Sequence, residues 1–170
     1  MNTLARSVMA SSAAFLFVAA CVPAPVQEPE ARGPLEGVWS VVAVDPMDGS
    51  APIDPSQPGL YLFAGSHYSA VYAPGPEARV KSETSFLPND DEMIAQYQSI
   101  IVNSGTYSVD GSSLTLRPMI AKSPGFVGGR LTGTFSVSGD TLVLHHEHLF
   151  DLDGTELADF GETLTLVRLE

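Results

Sequence analysis

The chain has one cysteine in 170 residues, one tryptophan, and only eight Lys and Arg. A single cysteine excludes an intramolecular disulfide and any metal site built from several thiolates. Eight basic residues against twenty acidic ones give a net charge of −12. Such a chain has no basic face with which to neutralise phosphates, so nucleic acid is not an expected partner. Long apolar runs are missing as well. The longest, Val8 to Ala20 with Ser11 and Ser12 inside it, has 13 residues. As a helix it would reach only about 20 Å, short of the roughly 30 Å hydrocarbon core of a bilayer. What is present is 44% hydrophobic residues in short runs, enough for one ordinary domain.

The apolar run follows Arg6 with no acidic residue before it, which is the pattern of a secretory signal. The one cysteine comes directly after it, and Val18-Ala19-Ala20-Cys21 resembles the lipobox of bacterial lipoproteins. The resemblance implies cleavage after residue 20, acyl groups on Cys21 (diacylglycerol and an amide-linked chain such as palmitate), and attachment to a membrane. Val22, where inner-membrane lipoproteins often carry Asp, points to the outer membrane. The mature chain would be Cys21–Glu170 with a charge of −13, since Arg6 leaves with the signal. Residues 21–34 contain four Pro and no apolar periodicity, and read as an extended tether.

From residue 35 to 170 short alternating runs are separated by turn dipeptides, the pattern of an all-β domain. Gly65-Ser66 predicts a hairpin in which Phe63 faces Tyr68 and Tyr61 faces Ala70, placing Tyr61, Phe63, Tyr68 and Tyr72 on one face. Asp110-Gly111 predicts a second hairpin, with Tyr107 opposite Leu114. A third turns at Ser138-Gly139-Asp140. Its inner face would carry Leu131, Gly133, Phe135, Val137, Leu142, Leu144, His146 and His148. With a first strand near residues 36–44, a last near 162–169 and short strands in the connections, the total is about eight to ten antiparallel strands.

One segment has a different period. Met93, Ile94, Tyr97, Ile100 and Ile101 are spaced by threes and fours, and Asn89 with Glu92 forms a capping-box pattern before them. A single helix of about three turns is expected, stopping near Gly105 and burying its apolar stripe on the sheet or across a barrel opening.

Gly37-Val38-Trp39 on the first strand resembles the Gly-x-Trp motif of the lipocalins and wider calycins. The stretch Ser104–Leu116, with Gly139–Leu144 behind it, is similar to the bacterial lipocalin-like domain family, over residues 35–170. The Thr-Asp-Tyr motif of typical lipocalins is absent, which favours the looser bacterial group. The resemblance implies an up-and-down barrel whose base is plugged by Trp39, with Arg168 packed across it. It also implies an interior for one small apolar or amphipathic ligand. The aromatic and aliphatic face then supplies the candidate lining: Tyr61, Phe63, Tyr68, Tyr72, Tyr97 and Tyr107, with Phe135, Leu142, Leu144 and the two inward histidines His146 and His148. A solid, side-chain-filled barrel acting through its outside as an interaction or inhibitor module is the alternative.

His146 and His148, two apart on a strand, are expected to share a face, where they would form a polar rim or hold two positions of a metal site lacking a third ligand. Asp151 to Glu162 has the length of a calcium loop but carries Gly154 at the fourth position, so an acidic turn is expected. No Gly-x-Ser-x-Gly occurs, and Gly125–Gly129 lacks the lysine of a phosphate loop. No enzymatic role and no cofactor is expected.

Overall fold

Two-residue turns set the arrangement. Gly65, Gly111 and Gly139 each sit at positive φ in a hairpin turn, a conformation that costs glycine little, and the strands on either side pair directly. The computed structural model describes residues 33–170. The expected signal segment, Cys21 and the expected tether up to residue 32 lie outside the described residues. Eight strands follow: β1 (Gly37–Asp45), β2 (Gly59–Ala64), β3 (His67–Tyr72), β4 (Ile101–Asp110), β5 (Ser113–Ala121), β6 (Arg130–Ser138), β7 (Thr141–Phe150) and β8 (Glu162–Arg168). Each pairs antiparallel with its neighbours in sequence, and β8 returns to β1, closing the barrel. The fold is the all-β up-and-down barrel with one short α-helix that the residue pattern predicted.

Closure gives the barrel two unlike ends. The three tight turns, the residues that lead into β1 and the end of β8 gather at the base. The four long connections, 46–58, 73–100, 122–129 and 151–161, gather at the mouth. Between them the inward side chains pack: Trp39, Tyr61, Phe63, Leu114, Leu116, Leu142, Leu144, Leu164 and Leu166 are all but inaccessible to solvent. At the base the Trp39 indole N–H donates to the Leu35 carbonyl at 2.7 Å. The Arg168 guanidinium lies 3.9 Å above the indole ring and donates to the Glu36 carbonyl at 2.8 Å.

Register departs from expectation in places with identifiable causes. The first hairpin pairs Phe63 with Tyr68 and Tyr61 with Ala70, as predicted. The second turns on Gly111-Ser112, so Tyr107 faces Leu116 and Leu114 faces Val109; the shift is by whole pairs, and Tyr107 stays on the expected face. Val137, expected inside, is exposed near the tip of the third hairpin. Three strands carry a β-bulge, in β1 between Val41 and Ala43, in β5 at Met119 and in β7 at Glu147. An extra residue reverses the facing of everything beyond it. Opposite the last two lie Gly105 and Gly133, where an added Cβ would strike the carbonyl oxygens of Arg117 and His145. Gly105 is therefore a strand residue at a close backbone approach, and the expected helix stop is not there.

Helix α1 (Asp90–Gln98) begins as predicted, with Asn89 accepting from the Glu92 N–H and Glu92 from the Asn89 N–H. It ends at Ser99, whose N–H bonds to the Ala95 carbonyl, because Ile101 already pairs in β4. Its expected stripe is not buried. Met93, Ile94 and Tyr97 are exposed, as are Phe86 and Leu87 just before it, and no helix residue is fully buried. Polar contacts hold the helix in place instead: Arg79 donates to Ser99 Oγ and the Gln96 carbonyl, and Tyr97 donates to the Lys122 carbonyl at 3.1 Å.

Candidate functional site

Beyond the pairs Leu116–Leu131 the strands β5 and β6 separate, since only four residue pairs join them. The gap opens a cavity of about 170 Å³ at the mouth. Its walls come from Tyr61 of β2, the mouth-side ends of β3 to β8 and the connections after β5 and β7; no residue between 73 and 100 contributes, so the helix does not close the interior. Most of the lining is apolar, with Tyr61, Phe126, Leu131, Leu149 and Phe160 prominent.

Set into this wall is a polar cluster. Tyr72 Oη donates to Glu162 Oε1 at 2.6 Å, and His146 Nδ1 lies 3.0 Å from the same oxygen. Burial alone would raise the Glu162 carboxyl. The hydrogen bond from His146, the charge His146 can carry and the Tyr72 hydroxyl outweigh burial and hold it below the usual carboxylate range. Burial first, and then the Glu162 charge, push Tyr72 up, so it remains the donor. An ionised carboxylate can only accept, which places the shared proton on His146 Nδ1. Nε2 of the same ring is sealed from solvent without a partner among the described residues, and so is Tyr68 Oη.

The expected lining divides accordingly. Tyr61, Tyr72 and His146 line the cavity. Phe63, Tyr68, Phe135, Leu142 and Leu144 belong to the packed core, with half-buried Tyr107 edge-on to Phe63 at 5.0 Å. Tyr97 is outside, with the Lys122 ammonium 4.9 Å from its ring. His148 is corrected most sharply. The Glu147 bulge sets His146 opposite Gly133 but His148 opposite Thr132, so one imidazole points in and the next points out. His148 is 55% exposed and bonds to Glu156 at 2.7 Å. The two rings cannot share an ion, and among the described residues no group of three or more His, Cys, Asp or Glu side chains is placed to hold one.

The chain matches no protein-family model and no curated protein. The site is therefore read from its own chemistry. Its most informative members, Glu162 and Asn103, were not among the expected lining. Period two would have found both: Glu162, Leu164, Leu166 and Arg168 alternate on β8, and Asn103 lies two and four residues before Gly105 and Tyr107 on β4.

Proposed function

We propose that the protein is a membrane-anchored, lipocalin-like lipoprotein that takes a small amphipathic ligand at the mouth of its barrel. The observation that carries this reading is the polar cluster of Tyr72, Glu162 and His146 set in an otherwise apolar cavity. Apolar walls with a few convergent polar groups are what ligand pockets require. Arg168 stacked on Trp39 at the base supports the resemblance to the lipocalin-like group. The cavity size narrows the ligand. About 170 Å³ accommodates a ring-sized body, not a whole long acyl chain. A second, outer groove of about 350 Å³ shares Ser123, Phe126 and Leu149 with the cavity, leaving room for a longer substituent. Acyl groups on Cys21 would hold the chain to a membrane.

Native mass spectrometry of residues 22–170, purified gently from cells, tests this directly. A discrete added mass that delipidation removes is the expected result. No adduct, together with no uptake of small amphiphiles, would overturn it. The same result would favour the second reading, an interaction module acting through its outside. That reading rests on the filled core and on Phe86, Leu87, Met93, Ile94 and Tyr97 exposed together around the helix.

A further inference from the structure

The two oxygens of Glu162 are not equivalent. Both intramolecular hydrogen bonds, from Tyr72 and His146, end on Oε1. Oε2 accepts none among the described residues and is not one of the sealed polar atoms, and the Glu162 side chain keeps 18% of its surface accessible. Glu162 lines the cavity, and Oε2 is its one carboxylate oxygen left without a partner among the described residues. Asn103 also lines it, with no side-chain bond among the described residues. The one lysine in the lining, Lys122, is directed to the Tyr97 ring, and among the described residues His146 is the only basic side chain within ion-pair distance of Glu162. The imidazole donates to Oε1 in either charge state, so Oε2 remains an acceptor.

Resting on the ligand-binding reading above, we infer that the ligand is an amine: a protonated primary amine on Glu162 Oε2 and the Asn103 amide oxygen, with an aryl or short alkyl body between Tyr61, Tyr72 and Phe160. A carboxylate set in aromatic walls favours an ammonium twice, by a charge-assisted hydrogen bond and by the ring faces. A ligand carboxylate would meet Glu162 as a like charge. The outer groove continues past Phe126 to Phe150 and Leu157 and carries the carboxylates Asp151 and Glu156.

Benzylamine, benzyl alcohol and benzoate have nearly the same size and differ in the head group. At pH 8 the first is an ammonium and the last a carboxylate. Calorimetric titration of the purified domain, residues 22–170, should rank benzylamine about tenfold tighter than benzyl alcohol, with benzoate weakest. In E162Q the amine preference should fall to within about threefold, whereas E147Q, the same change of charge on the outer face, should keep it. Near-UV circular dichroism reports whether E162Q is folded. If it is not, the ranking on the unaltered protein decides. Benzyl alcohol or benzoate binding as tightly as benzylamine would overturn the amine assignment and leave the cavity reading standing. No binding of any of the three at millimolar concentration would overturn both.

Discussion

Trp39 has no exposed surface, and each of its polar and π contacts is internal: the Leu35 carbonyl below, the Arg168 guanidinium above. Truncation to Ala removes the ring, opens a void and strips Arg168 of its partner. Trp39→Ala should cost about 3–5 kcal/mol in urea unfolding, as for other buried aromatics, and a loss under about 1 kcal/mol would remove its role as the base plug. Glu162 makes a different prediction. Its folded-state pKa is lowered, so the stability it contributes is present above the ordinary carboxylate pKa and is lost as pH falls through the folded value. The urea midpoint should therefore decline on acidification below about pH 4.5, and Glu162→Gln should flatten that limb. An unchanged acid limb in the variant would show that the pairing with Tyr72 and His146 stabilises nothing. The face of His146 was legible from alternation along the strand. That of His148 was not, because nothing in His145–His148 marks the bulge at Glu147; Gly133, which admits the His145 carbonyl, is the only sign of it and lies on the other strand.

At the scale of elements, helix α1 is the case where local and tertiary signals part. Its start was legible because a capping box is satisfied within four residues, whatever surrounds it. Its burial was not, since the spacing of Met93, Ile94 and Tyr97 gives an apolar face without saying what, if anything, covers it. A helix held by its cap and a few polar contacts, with no buried side chain, has little tertiary stability to share. Asn89→Ala should weaken the cap by about 1 kcal/mol. The loss should appear as faster amide exchange over residues 90–98 with the barrel's unfolding midpoint unmoved. A matching drop in global stability would mean that the helix is part of the cooperative core.

For the whole molecule, the division into a filled base and a hollow mouth follows from where the connections fall. Two-residue turns leave no chain to spare at one end, and all the longer segments collect at the other. The proposed anchor belongs to this scale too. Cys21→Ser in the full chain should leave the protein unacylated and in the soluble fraction after cell lysis; continued membrane attachment with no added acyl mass would count against the lipoprotein assignment.

The amino-acid sequence by itself determined the all-β antiparallel order of hairpins, the register of the first of them and the helix cap, because turns, alternation and capping are settled over a few residues. Tertiary structure alone decided what the interior can do. Closing β8 onto β1 and parting β5 from β6 brings Tyr72, His146 and Glu162, up to 90 residues apart, onto one small cavity. The bulge at Glu147 keeps one histidine inside and sends the other out, a choice made by pairing across strands, which no local pattern encodes.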